Sequence, residues 1–137
     1  MSTRVIFACV QNAGRSQMAA AFFNAIADPR RATAVSAGTA PTSRVHPEVL
    51  SAMSEVGIDL SGAKPQLLTT ELAAGAHFLV TMGCGSQCPV LPGTKTLDWA
   101  LEDPHGKAFE RVREIRDEIR RRVQEFVETN EWEGRPT

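Results

Sequence analysis

An α/β layered domain is the fold class predicted by this chain. Two apolar runs, Val5-Ile6-Phe7-Ala8 and Phe78-Leu79-Val80-Thr81-Met82, are unbroken, as expected of parallel strands covered on both faces. Segments with helical periodicity alternate with these runs, the clearest being Phe109, Val112, Ile115, Ile119, Val123 and Phe126. Strand–helix alternation with right-handed crossovers builds stacked layers, and ligands then bind beyond the carboxyl ends of the strands.

The elements follow in order. A strand covers Arg4 to Ala8. A helix runs from Arg15 to Ala27, with Met18, Phe22 and Ile26 on one face, and stops near Asp28-Pro29. A second strand spans Ala32 to Ser36 and is closed by Ala37-Gly38. Pro47 suits the first turn of a helix whose face is Val49, Leu50, Met53 and Val56, with Gly57 as its C-terminal cap. Thr70 to Ala73 forms a short helix, Phe78 to Met82 the third strand and Thr94 to Leu97 a fourth. The last helix starts at Gly106 or Lys107 and ends near Glu128, with Arg120-Arg121-Arg122 on its solvated face. Cys9, Gly38, Gly83 and Asp98 all fall at strand ends, on the edge where ligands bind.

The bulk properties bound the function. The length of 137 residues suits one domain, 1–137, without repeat or linker. Hydrophobic residues at 42% and charged residues at 23% are ordinary for a globular protein, and a net charge of -1 argues against a general nucleic-acid binder. No apolar run approaches the ~18 residues of a membrane span, and because the chain enters a strand directly no secretory leader is expected. A cytoplasmic protein is expected, in which three cysteines read as catalytic, redox or metal-binding. With no apolar face left over, a monomer is expected.

The run Cys9-Val10-Gln11-Asn12-Ala13-Gly14-Arg15-Ser16 carries the chemistry. Five residues between a thiol and an arginine, at a strand-to-helix turn, let the backbone N–H groups of Val10 to Arg15 converge on one tetrahedral anion. The helix N-terminus adds positive potential. Gly14 permits the tight turn, and Arg15 offers a planar fork to two oxygens. Ser16 can donate a hydrogen bond to sulfur and Asn12 can brace the loop, so the surroundings favour the thiolate of Cys9, the nucleophilic form. Downstream, Cys84 and Cys88 stand in a Gly- and Ser-containing stretch. They can pair if the loop brings their Cα atoms to ~4.4–6.8 Å.

Cys9 to Ser16 resembles the Cys-x-x-Asn-x-x-Arg-Ser signature of arsenate reductases with the low-molecular-weight protein tyrosine phosphatase fold. Similar too are Gln17-Met18-Ala19, Ser36-Ala37-Gly38, Glu55 to Ser61, Cys88-Pro89-Val90-Leu91-Pro92, Trp99 to Lys107 and Arg111 to Ile119, so the resemblance covers nearly the whole chain. It implies a three-layer sandwich, a four-stranded parallel sheet flanked by helices. It also implies a general acid at Asp103-Pro104, with Asp98 and Glu102 as nearby alternatives, to protonate the oxygen leaving arsenic. Trp99 is read as packing.

The resemblance further implies a thiol relay. Cys9 attacks arsenate, Cys84 attacks Cys9 and releases arsenite, and Cys88 takes over the disulfide, which a thioredoxin-like donor reduces. The gap of three residues between Cys84 and Cys88 is shorter than in well-known members. That leaves mycothiol, or glutathione with a glutaredoxin-like protein, as alternative donors. Members that bind potassium use the residues matching Asn12 and Ser36 together with acids. Ala20 and Gln66 stand where those acids would align, so no tight potassium site is expected. No cofactor or resident metal is expected. One rival is a low-molecular-weight phosphatase hydrolysing phosphotyrosine or small aryl phosphates through a Cys9 phosphoenzyme. Against it, Gln11 and His105 stand where such enzymes present aromatics. Zinc held by Cys84 and Cys88 with His77 or His105 is the lesser rival, and His46 is read as a surface residue at a helix start.

Overall fold

Backbone pairing joins the two apolar runs and two further strands into one sheet. The computed structural model describes residues 3–83 and 93–134. Its strands are β1 (Thr3–Cys9), β2 (Ala32–Gly38), β3 (Phe78–Thr81) and β4 (Lys95–Asp98), all parallel, in the order β2-β1-β3-β4. The helices are α1 (Arg15–Ile26), α2 (Pro47–Glu55), α3 (Thr70–Ala74) and α4 (Phe109–Thr129). The register pairs Cys9 with Gly38, Ala8 with Thr81 and Thr81 with Asp98, so these strands end together at one edge.

The side-chain period of two divides β1 between two cores. Val5, Phe7 and Cys9 face α1, α2 and α4, where Met18, Phe23, Met53 and Ile119 are fully buried. Ile6 and Ala8 face the opposite way, against Ala73, Ala76 and Leu79. The sheet is therefore the middle of three layers. Aromatic rings bind the larger core together: Phe23 meets Phe7 at 5.9 Å and Trp132 at 5.8 Å, and Phe126 meets Trp132 at 5.3 Å. Such edge-on pairs add about 0.5–1.5 kcal/mol each beyond area burial. Trp132 also ties the C-terminal end to α1, because its carbonyl accepts from Asp28 N–H at 2.8 Å.

Local chemistry explains the boundaries. Gly57, with φ of +82°, sits one residue past the C-cap of α2. Its N–H donates to Ser54 and that of Ile58 to Met53, both at 3.0 Å, the paired arrangement that closes a helix through a left-handed residue. Thr69 caps α3 by accepting from Leu72 N–H at 3.0 Å. Two expectations shift. The last helix begins at Phe109 rather than Gly106 or Lys107, because Gly106 takes φ of +77° and Ala108 is the extended N-cap. The fourth strand is displaced by one residue, to Lys95–Asp98. Phe109, expected on the apolar face, is half-buried under the Arg113 guanidinium at 4.5 Å instead of joining the core. Arg116, within that helix's polar pattern, is buried and clamps α4 to α2 through Ala52 O at 3.0 Å and Glu55 at 2.8 Å. Among the described residues, no helix is long and apolar enough to cross a membrane.

Candidate active site

β1 ends at Cys9 and α1 begins at Arg15, so the intervening loop lies on the carboxyl edge of the sheet. Its carbonyls point outward. Those of Cys9, Val10, Gln11 and Ala13 accept from the N–H groups of Thr39, Ala40, Thr42 and His46 at 2.8–3.2 Å. The loop N–H groups of Gln11 to Gly14 donate to no acceptor among the described residues. Gly14 is the N-cap of α1 and has no side chain to occupy the first-turn N–H groups, and no acidic residue stands in that turn. A loop that turns its carbonyls out and leaves its N–H groups free, against an uncapped helix start, can cradle an oxyanion.

Cys9 sits in this cradle, 2% exposed, with Sγ 2.8 Å from Ser16 Oγ. The direction of that hydrogen bond follows from its neighbours. The backbone N–H of Gln66 can only donate, and it reaches Asn12 Oδ1 at 2.9 Å. Asn12 Nδ2 is thereby turned to Ser16 Oγ, to which it donates at 2.7 Å. The Ser16 hydroxyl accepts there and keeps its own proton for Cys9 sulfur. A buried polar chain thus runs from the Gln66 backbone to the thiol, and each link disposes the next toward stabilising a negative sulfur. Asn12 holds φ of +52°, a left-handed conformation that asparagine tolerates, and Gln17 Nε2 fixes its carbonyl at 3.1 Å.

Two glycines mark where other segments press against the loop. A Cβ on Gly38 would come within 2.5 Å of Val10 O and 2.9 Å of Asn12 N, both backbone atoms. That contact explains the small Ser36-Ala37-Gly38 ending of β2. Gly83 takes φ of +98°, and a Cβ there would overlap Arg15 Nη1. Gln66 ties the loop to β2: its N–H groups donate to Asn12 Oδ1 and to Ser36 O, the latter at 2.8 Å.

Arg15 is nearly buried, donates to Leu101 O at 3.1 Å and stands 3.8 Å from Asp103 Oδ2. Pro104 is buried against Gly14, where a Cβ would meet its Cγ at 3.3 Å, so the Asp103-Pro104 segment lies directly on the anion loop. The Asp103 carboxylate is half-exposed and accepts from His105 N–H at 3.0 Å. Of the alternative acids, Asp98 is engaged by Thr81 Oγ1 at 2.8 Å and Glu102 pairs with Arg111 at 2.7 Å, which holds Glu102 below the usual carboxylate range. Trp99 packs on Phe7 at 5.7 Å, as its reading predicts.

The structure brings together Cys9, Asn12, Arg15, Ser16 and Asp103. Cys84 and Cys88 lie outside the described residues; Gly83, which precedes Cys84 in the sequence, packs on Arg15. One reading is corrected. His46 is no mere surface residue: it is the N-cap of α2, half-buried, bonded through Nε2 to Gln11 at 3.0 Å, and stacked on His105 with ring centroids 4.0 Å apart. Its only sequence signal was a histidine before a helix-starting proline, which does not report what it faces.

Comparison with known proteins agrees with this geometry. Residues 4–134 match the family described as low molecular weight phosphotyrosine protein phosphatase. A Halobacterium salinarum protein with a provisional name as an arsenate reductase is 40% identical over 126 residues, 89% of either chain. A Synechocystis protein named glutaredoxin arsenate reductase is 34% identical, covering 90% of this chain and 95% of its own. The solved thioredoxin-dependent arsenate reductase of Corynebacterium glutamicum aligns over 93% of this chain with 39% identity and a TM-score of 0.81. The present chain spans 61% of the length of that structure.

Proposed function

The chain belongs to the low molecular weight phosphotyrosine protein phosphatase family, and on that footing we propose that it reduces arsenate to arsenite. The observation that carries the proposal is the Cys9 thiol held against the Ser16 hydroxyl inside a cradle of free N–H groups. Arsenate is a tetrahedral oxyanion of the kind such a cradle accepts. The naming of relatives 31–40% identical as arsenate reductases supports the oxidoreductase over the hydrolase.

The steps balance as follows. The Cys9 thiolate attacks As(V), and an S–As bond forms as an As–O bond breaks. Asp103 gives its proton to the departing oxygen, which leaves as water. Val10 to Ser16 hold the remaining oxygens, with Arg15 supplying two charge-assisted donors. The Cys84 thiolate then attacks Cys9 sulfur. The S–S bond forms, the S–As pair stays with arsenic, and As(III) departs as arsenite. Cys88 attacks Cys84, freeing Cys9 as a thiolate and leaving a Cys84–Cys88 disulfide. A dithiol donor of the thioredoxin type takes up that oxidation by exchange. The protein is proposed to work as a single domain and a monomer in the cytoplasm, where the thiols stay reduced. Leu67 is the one large hydrophobic side chain exposed among the described residues, which suits a monomer.

The test is arsenate-dependent NADPH consumption with thioredoxin and its reductase, repeated with glutathione and glutaredoxin. Turnover that is abolished by each of Cys9→Ser, Cys84→Ser and Cys88→Ser is the expected result. Aryl-phosphate hydrolysis that needs Cys9 alone, without arsenate-dependent oxidation, would make the protein a phosphatase.

A further inference from the structure

The oxyanion chemistry leaves one cluster unused: His46 at the N-cap of α2, Glu48 in its first turn, and His105 just after Pro104. One ring nitrogen from each histidine and one Glu48 carboxylate oxygen lie within 4.8 Å of one another. Glu48 Oε1 is buried, yet it has no hydrogen-bond partner among the described residues. His105 Nδ1 lies 3.8 Å from it, beyond hydrogen-bond reach. A buried carboxylate oxygen is expensive unless a cation meets it.

We propose that His46, Glu48 and His105 bind one divalent transition-metal ion, of zinc character, at the rim of the oxyanion loop. Two imidazoles and a carboxylate, with a fourth position left to water, are a zinc donor set. Tetrahedral ligation at ~2.0–2.2 Å places neighbouring donors roughly 3.4 Å apart, a few tenths of an ångström inside the His105–Glu48 separation. The rings are nearly parallel, 18° apart, so both must turn for their lone pairs to converge. That torsion is soft in histidine, and the His105 side chain is half-exposed at 54%. Donation of Nε2–H to Gln11 at 3.0 Å leaves Nδ1 as the free donor of His46 and supplies the outer hydrogen bond that metal-binding imidazoles usually make. An ion there ties the segment carrying Asp103 to α2 and, through Gln11, to the anion loop. This inference is independent of which oxyanion is turned over.

Cobalt(II) tests the site because its spectrum reports its donors. Reduced Cys84→Ser/Cys88→Ser protein is titrated anaerobically with Co²⁺. The expected result is one ion per chain with four-coordinate visible bands, displaced by Zn²⁺, and no thiolate-to-metal charge transfer in the near ultraviolet. His105→Ala and Glu48→Gln each weaken binding about tenfold or more. Zn²⁺ raises the melting temperature of the parent but not of His46→Ala/His105→Ala. Failure to take up cobalt, a thiolate charge-transfer band, or unchanged affinity in both His105→Ala and Glu48→Gln would each overturn the proposal; circular dichroism verifies that the variants fold.

Discussion

Replacing Ser16 by alanine removes the hydroxyl that lies 2.8 Å from Cys9 Sγ and leaves every other loop atom in place. Both residues are essentially buried, so water cannot substitute for the lost donor. A hydrogen bond to a charged partner is worth about 1.5–3 kcal/mol. If the donor favours the thiolate over the thiol by that amount, nucleophilic reaction on the acid limb of the rate–pH profile, where the thiolate is scarce, falls roughly ten- to a hundredfold. The change has a second cost. Asn12 Nδ2, fully buried and bonded to Ser16 at 2.7 Å, loses its acceptor, which destabilises the fold by about 1–3 kcal/mol. The assay is alkylation of Cys9 by iodoacetate, an anion suited to the cradle, in the Cys84→Ser/Cys88→Ser background, with urea unfolding alongside. Acid-limb alkylation within twofold of the parent, in a variant still folded under the assay conditions, would refute the hydrogen-bond direction derived from Gln66 and Asn12.

Gly38→Ala drives a Cβ into Val10 O and Asn12 N, backbone atoms that cannot rotate away; a loss of about 1–3 kcal/mol is expected, with weakened phosphate binding, read from urea midpoints with and without phosphate. Asp103→Asn removes the proposed proton donor, and turnover of phenyl phosphate should fall about a hundredfold or more. p-Nitrophenyl phosphate, whose leaving group needs less protonation, should lose much less; equal losses would assign Asp103 a different role. Glu55 is held down to about 2 by hydrogen bonds from Arg113 and Arg116. Because its folded value lies below the ordinary one, its contribution is complete above about 4.5 and disappears as pH falls toward about 2. The melting-temperature gap between parent and Glu55→Gln should therefore be constant near neutrality and close across that acid window; a gap independent of pH would mean that the pair with α4 contributes nothing.

Local sequence determined the elements and the proposed nucleophile. Apolar continuity in Val5–Ala8, the helical period after Arg15 and the turn chemistry of Gly57 each act over a few residues, so they can be read along the chain. The interval from Cys9 to Arg15 is equally local, because a loop that short at a strand-to-helix turn has few ways to run. Tertiary structure decided which distant groups meet that loop. The Gln66 N–H orients Asn12 from 54 positions away, and Gly38 must be small because another segment's backbone lies against it. His46 and His105 are stacked although nothing in either neighbourhood forecasts the other. Periodicity reports the face a residue turns inward; sheet order and crossover packing set what waits on that side.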